Sequence, residues 1–412
     1  MNILWLSHFV PYPPQGGAFQ RSYNMLREAA RQNDIYLIAL KHKRSTHPRA
    51  EMDMARKKLG AFCKEVLIID ISYRISGVPL YMLALKSLFR GIPLSVSTRK
   101  FPEMSHYIRQ ASEKIKFDVV HFDTISLAVY LDDIDSKAKK VMSHHSVESF
   151  LMMRRNVTES NPLKKMFFRI EGQRLQRYEE KYCPKFQLNL SCSELDKEMF
   201  QGIAPDARFE VVENGVDSRY FLPENDYKKK NRLIFAGRLD QYSNRDAILH
   251  FCAKTWPLVR EANPEMRLTI IGGGTAPAQL LKIARNDHRI EMPGYVDDVR
   301  PYFAKSLAMI CPVQDGGRTR LKVLDAMAMG MPIVSTTSGC EGIDAAKDEE
   351  LLIADTPEEF ADKINMIYTD DELRASLGTK AREKVEKRYS WSILGEKLNG
   401  FYAEINDSSE KK

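Results

Sequence analysis

None of the six cysteines (Cys63, Cys183, Cys192, Cys252, Cys311, Cys340) stands at C-x-x-C spacing or beside histidines at metal-ligand spacing. Most lie inside apolar stretches, so a zinc module and a disulfide scaffold are both excluded in favour of reduced core thiols. No uninterrupted apolar run reaches the roughly 18 residues of a spanning helix. The start, MNILWLSHFVPYPP, has no basic n-region, and Pro11, Pro13 and Pro14 cut its apolar stretch short, which argues against a signal peptide. The expectation is a cytoplasmic protein. There is no short-period repeat and no low-complexity tract apart from the charged tail INDSSEKK, which is expected to fray. No aromatic–basic interleaving or groove-entering motif accompanies the basic residues, so nucleic acid is not the expected partner.

What is present is a chain of 412 residues, too long for one ordinary core, with 43% hydrophobic and 28% charged residues. Two soluble globular domains are expected. The net charge of +7 is unevenly spread. Residues 1–200 carry 32 Lys and Arg against 21 Asp and Glu, and residues 201–412 carry 30 against 34. Short apolar segments, NILWLSH, IYLIAL, EVLIIDI, DVVHFD and KKVMSHH, alternate with helical patterns, the rhythm of a parallel doubly wound sheet. The rhythm breaks after LNLSCS and FEVVENGVD at the polar lysine run Asp226 to Asn231, which looks like an interdomain linker. RLIFAGR, RLTIIGGG, RIEMPGYV, LAMICPV and PIVSTTS then restart it with five strands. The reading is α/β with two Rossmann-like halves in tandem.

Ligands of open α/β sheets sit outside the carboxyl ends of the strands, at the switch point. That rule puts SHFVPYPPQGG, HFDT and SHHSVE at the mouth of the first half, and AGRLD, IGGG, PGYV, PVQDGGRTR and STTSG at the mouth of the second. Gly16 and Gly17, between a strand and a helix, offer bare amides to a diphosphate, or simply form a tight loop. Gly316 and Gly317, with Arg318, Thr319, Arg320 and Lys322, form a second phosphate cradle ahead of a helix. Asp325 lies on that otherwise apolar helix and needs a partner: the diol of a ribose, or a salt bridge to Arg320 or Lys322. IGGGTAP lacks the third glycine of a dinucleotide fingerprint, and Pro277 falls where the helix would start. His144 and His145 diverge as neighbours and have no third ligand at zinc spacing. Arg21, one turn into its helix, reads as a solvated or salt-bridged surface residue. Asp133/Asp135 lie in a polar loop and Asp297/Asp298 read as helix caps, so no metal site is expected.

P-x-x-x-G-G (Pro13 to Gly17), DVVHFD (118–123), ENGVD (213–217), FAGRLD (235–240), LTIIGGG (268–274), PGYVDDV (293–299), LKVLDAMAMGMPIVST (321–336) and RYSWSILGEKLNGFY (388–402) together resemble the retaining glycosyltransferases of family 4, with the GT-B fold. The likeness covers essentially the whole chain. PYPPQGG, HHSVES and GGRTRLKVLDAMA are similar to sugar transferases of bacterial exopolysaccharide and cell-envelope clusters. The resemblance implies two Rossmann-like doubly wound domains facing across a cleft: an acceptor-side domain over 1–205, a donor domain over 206–385, and a segment 386–412 whose helix crosses back to the first domain. It implies a nucleotide-sugar donor, UDP- or GDP-linked, with no other cofactor and no metal. Gly237, Arg245, Gly294, Val296, Leu321 and Lys322 join the glycines, Thr319 and Asp325 on the donor side. Arg238 and Arg320 meet the departing diphosphate. His121 and Asp123 match the sugar- and acceptor-facing positions, although a packed histidine and a helix cap are the structural alternatives. His145 and Glu148 face the acceptor, a glycan or a lipid-linked sugar.

The sequence departs from that pattern in three places. The paired glutamates fall on Gly317 and Asp325; Arg238 has no lysine at the following position, where Asn244 and Arg245 stand; the second His of HxH is Asp123. A nucleotide-sugar epimerase on the same fold and a non-catalytic nucleotide-binding scaffold therefore stay open. The apolar segment 78–94, carrying Lys86 and Arg90 in the most basic part of the chain, reads either as a buried helix or as a peripheral surface for an anionic membrane.

Overall fold

A computed structural model describes residues 1–14, 16–42, 49–71, 91–223, 231–314, 321–345 and 347–407. The chain divides into two compact units, Met1–Glu213 with Leu394–Lys412, and Asn214–Ile393.

The first unit is built on a seven-stranded, all-parallel sheet in the order β3-β2-β1-β4-β5-β6-β7. Its strands are β1 (Asn2–Ser7), β2 (Asp34–Lys41), β3 (Glu65–Asp70), β4 (Val119–Phe122), β5 (Lys139–Ser143), β6 (Leu188–Ser191) and β7 (Phe209–Val211). The helices are α1 (Gly17–Ala29), α2 (Arg49–Gly60), α3 (Leu94–Ser97), α4 (Pro102–Lys114), α5 (Glu148–Thr158), α6 (Pro162–Tyr182) and α7 (Glu194–Ile203). With helices on both faces, β1, β4 and β6 are buried almost end to end, which explains why they read as continuous apolar runs and not as alternating ones. Leu4, Leu6, Val120, Phe122 and Met142 anchor the core. Each such side chain contributes about 1.5–3 kcal/mol by leaving water.

LNLSCS and FEVVENGVD supply β6 and β7 of this sheet, and this part of the unit ends after Glu213, where the sequence reading put the boundary at 205.

The second unit has a six-stranded parallel sheet, β10-β9-β8-β11-β12-β13. Its strands are β8 (Arg232–Ala236), β9 (Arg267–Ile271), β10 (Ile290–Gly294), β11 (Ala308–Cys311), β12 (Ile333–Ser335) and β13 (Leu352–Ile353). The last, two residues long, escapes a periodicity search and makes six strands where five were expected. Around it lie α8 (Tyr242–His250), α9 (Trp256–Ala262), α10 (Ala278–Asn286), α11 (Arg300–Ala304), α12 (Leu321–Ala328), α13 (Pro357–Thr369) and α14 (Asp371–Lys384). Val216 bridges Ser390, so the two strands of chain that lead into and out of this unit run side by side.

The final helix, α15 (Trp391–Asp407), packs in the first unit from Leu394 onward. Asn33 Nδ2 donates to Asn399 Oδ1 (2.8 Å), Asn399 Nδ2 donates to the Glu28 carbonyl (3.2 Å), and Lys397 pairs with Glu213 at 3.1 Å. A Cβ on Gly395 would lie 2.3 Å from that of Glu28, so glycine sets how closely α15 approaches α1. All six cysteines are free, and all but Cys340 are buried.

Candidate functional site

In the first unit the strand order reverses between β1 and β4, and the carboxyl ends of β1, β2, β4 and β5 open there. Asp123, directly after β4, is 1% exposed. Its Oδ2 accepts from Ser22 Oγ (2.6 Å) and Ser7 Oγ (3.2 Å), and its Oδ1 lies 3.3 Å from His145 Nε2. That same Nε2 is 3.0 Å from the Asp123 carbonyl oxygen. Both neighbours are acceptors, so Nε2 carries a proton. His145 is thus oriented by Asp123, and of the two it is His145 that keeps contact with solvent. Glu148 opens α5, and its Oε1 accepts from Thr124 Oγ1 at 2.9 Å.

His121 departs from its expected role. It is fully buried on β4, stacked on Trp5 at 3.7 Å between ring centroids, and shares a 2.7 Å hydrogen bond through Nδ1 with Tyr402 of α15. Burial holds its pKa down to about 3, and the ring packs in the core, out of contact with solvent. His144 is likewise a core residue, against Phe200 and Asn189 Oδ1, with burial lowering its pKa to about 3. Arg21 is not on the surface: it is 1% exposed and donates to the carbonyls of Val212 and Glu213 at 2.8 and 2.9 Å. Gly16 caps α1 at φ +96°, a conformation that favours glycine, and with Gly17 it is exposed. No acidic side chain occupies the first turn of α1.

In the second unit two turns interlock. The amides of Gly237 and Leu239 donate to the carbonyls of Ile271 and Gly273, both at 2.9 Å. Gly272 adopts φ +145°, and a Cβ there would sit 2.0 Å from the Gly237 carbonyl oxygen. The IGGG glycines therefore exist to let two backbones touch beside the AGRLD turn. Gly294 closes the set by accepting from the Gly272 amide at 2.8 Å, and Val296 packs partly buried behind it.

Arg238 lies in this turn, but Asp240 grips it with a pair of hydrogen bonds at 3.0 and 2.5 Å. Both side chains are well exposed. Arg245 reaches Asp246 at 3.1 Å. Lys322 Nζ donates to Asn244 Oδ1 at 3.1 Å and stands 4.3 Å over the Phe235 ring. Lys322 thus meets Asn244 across 78 positions of the chain, a pairing that no local pattern announces. Leu321 opens α12, and Asp325 follows one turn later.

The carboxyl of Asp325 has no hydrogen-bond or ion-pair partner among the described residues, and burial raises its pKa to about 8. The alternative bridge to Lys322 is not formed, because that ammonium is on Asn244. Arg318, Arg320, Gly316, Gly317 and Thr319 lie outside the described residues, as does the segment 78–90 with Lys86 and Arg90.

The acidic pairs are engaged by neighbours. Asp298 accepts from the Arg300 side chain and amide, Asp133 from Arg109, and Asp135 from the Lys137 amide. Among the described residues no group of three or more His, Cys, Asp or Glu is assembled for a metal ion. His8, within the stretch that the strand-end rule puts at the first mouth, has its backbone carbonyl held by His42 Nε2 at 2.7 Å; His42 was not singled out from the sequence.

Residues 230–370 match the family model described as Glycosyl transferases group 1. The match lies within the second unit, and the two doubly wound units have the GT-B fold. A monoacylated phosphatidylinositol monomannoside mannosyltransferase of Corynebacterium glutamicum, named as GDP-mannose-dependent, is 27% identical over 46% of the chain and 55% of its own length. The chain thus spans about half of that relative. A 44.6 kDa protein of the cps region of Klebsiella pneumoniae is 24% identical over 88% of the chain and 90% of its own length. Among solved structures, sucrose-phosphate synthase of Thermosynechococcus elongatus superposes with a TM-score of 0.71, at 13% identity and over 99% and 100% of the two chains. Anabaena HepE in complex with UDP superposes at 0.66, with 13% identity and 98% and 100% coverage.

Proposed function

We propose that the protein is a retaining, metal-independent glycosyltransferase of family 4, moving a sugar from a nucleoside diphosphate to a hydroxyl of a glycan or lipid-linked acceptor in envelope or exopolysaccharide synthesis. The observation that carries this reading is the unpartnered, burial-strained carboxyl of Asp325, on a helix within the matched domain and beside the interlocked glycine turns. A ribose diol supplies the two O–H donors that it lacks. The turn amides, Lys322 and Arg238 then meet the diphosphate, with Arg238 exchanging Asp240 for phosphate. Stabilising the departing diphosphate is the main electrostatic demand of such a transfer. The leaving phosphate takes the acceptor proton on the same face, so no protein nucleophile is needed. On the acceptor side, His145 faces the acceptor with Asp123 behind its Nε2, while the buried His121 has no part.

The α5–α6 hairpin supports peripheral attachment to an anionic membrane. Val157, Leu163, Met166 and Phe167 are 45–74% exposed there, interleaved with Arg155, Lys164, Lys165 and Arg169. Among the described residues no helix is long and apolar enough to cross a membrane.

The test is a thermal-shift screen of UDP- and GDP-sugars, followed by assay of slow donor hydrolysis and of transfer. Stabilisation and hydrolysis by one donor support the assignment. Release of an isomerised nucleotide-sugar would replace it with an epimerase, and binding without turnover would replace it with a scaffold.

A further inference from the structure

Only one oxygen of the Asp123 carboxylate faces His145, and its direction is set by whatever holds the other. Ser7 and Ser22 both reach that other oxygen, Oδ2, but they do not hold it equally. Ser7 has a single hydroxyl proton, and its Oγ lies 2.7 Å from the Phe9 carbonyl oxygen against 3.2 Å from Oδ2, so the proton is directed chiefly at Phe9. Ser22 Oγ stands 2.6 Å from Oδ2, the length of a hydroxyl donating to a carboxylate. The strong tether of Asp123 is therefore Ser22, from 101 positions away in the chain.

Serines inside helices ordinarily turn the hydroxyl back to the carbonyl of the preceding turn or out to water. Ser22 is buried in α1 and directs its O–H at Asp123 instead. The turn that carries it is itself fixed, because the neighbouring Arg21 donates to the carbonyls of Val212 and Glu213, just past β7. Asp123 is equally buried, so bulk water does not replace a hydrogen bond that it loses.

We infer that Ser22 is the positioning residue of the Asp123–His145 pair. By fixing Oδ2 it turns Oδ1 toward His145 Nε2, at 3.3 Å, and so sets the ring that faces the acceptor. The inference deepens the glycosyltransferase reading and rests on it for the part played by His145. Ser22 acts only through the two side chains ahead of it. The second tie of the ring, from Nε2 to the Asp123 carbonyl at 3.0 Å, does not depend on Ser22, so loss of the hydroxyl tilts the imidazole and does not free it. A misplacement of that kind costs about tenfold in turnover where a reacting group must be held in line.

The experiment uses the full chain and the donor selected in the thermal-shift screen, with water standing in for the acceptor hydroxyl. Hydrolysis kinetics, the thermal midpoint and the imidazole N–H resonances of isotope-labelled histidine are the readouts. Ser22→Ala should lower kcat about tenfold and leave the KM of the donor within about twofold. Ser22→Thr, which keeps the hydroxyl, should restore most of the loss. Ser7→Ala removes a contact with the same carboxylate and should lower the midpoint, yet keep kcat within about twofold, which separates tethering from mere stability. Ser22→Ala should cost nothing further once His145→Gln has been made, because its effect passes through that ring. The Nε2–H resonance missing from His145→Gln identifies His145; it should shift in Ser22→Ala and stay in place in Ser7→Ala. An unchanged kcat in Ser22→Ala, equal losses for the two serines, an additive loss in the double variant or an unmoved His145 resonance would each overturn the inference. Should the wild type bind and hydrolyse no UDP- or GDP-sugar, the glycosyltransferase reading falls instead, and the His145 resonance still decides whether Ser22 orients the pair.

Discussion

At the scale of single residues, Asp325 and Arg238 stand in opposite states: the first carboxyl has no partner among the described residues, while the second guanidinium is already held by Asp240. The Asp325 carboxyl is raised to about 8 in the folded chain and ionises near 4 when unfolded. The folded state therefore binds the proton more tightly, and this group's contribution to stability falls as pH rises from about 4 to about 8. Asp325→Asn should accordingly stabilise the second unit at pH 7, by roughly 1–3 kcal/mol after allowing for its partial contact with solvent. It should also weaken nucleoside binding. Donated O–H groups favour the ionised carboxylate, so wild-type affinity should climb between pH 6.5 and 8.5 while that of Asp325→Asn stays flat. Calorimetric titration across that range decides the point; a pH-independent wild type would refute the ribose role. Arg238→Ala should cost about 1.5–3 kcal/mol of nucleoside-diphosphate affinity, the scale of charge-assisted hydrogen bonds. Asp240→Asn should strengthen binding, since it frees the guanidinium without removing it. If both variants bind as the wild type does, the AGRLD turn is not a phosphate site.

At the scale of elements, the AGRLD and IGGG turns form one unit, because each needs the other's missing side chains. Gly272→Ala places a Cβ against the Gly237 carbonyl and demands φ +145° of an L-residue. It should destabilise the second unit by about 2 kcal/mol or more, and nucleotide affinity should fall with it. Gly237→Ala meets Asn244 at 2.9 Å and displaces the residue that holds Lys322, so it should weaken diphosphate binding more than nucleoside binding. Equal losses for the two ligands would show that Lys322 does not reach the phosphates.

For the whole molecule, the charge asymmetry and the α5–α6 hairpin bear on where the protein works. The first 200 residues carry the excess of 32 basic over 21 acidic groups, and the hairpin adds exposed apolar side chains to that excess. The wild type should float with vesicles containing anionic lipid, bind neutral vesicles poorly and detach as salt screens its charges over about 8–10 Å. Lys164→Glu with Lys165→Glu should weaken the binding by about 1 kcal/mol per charge and leave donor affinity unchanged. Retention of vesicle binding by that double variant would move the membrane contact elsewhere on the chain.

The sequence by itself determined what depends on local order: the alternation that makes two parallel sheets, the mouths at the strand ends, the glycine turns, and the motif series that resembles a glycosyltransferase. It also marked Asp325 as a carboxylate in need of a partner, because an acid on an apolar helix is visible without coordinates. Tertiary structure decided which side chains are buried and which meet. His121 and Asp123 share one motif two residues apart, yet Trp5 and Tyr402 seal the first into the core while Ser7, Ser22 and His145 gather around the second. Lys322 of α12 meets Asn244 across 78 positions, and β6 and β7 join the first sheet. Each of these outcomes rests on contacts between residues far apart in the chain, and the cost of burying a charge or a ring is set by such contacts and not by its neighbours in sequence.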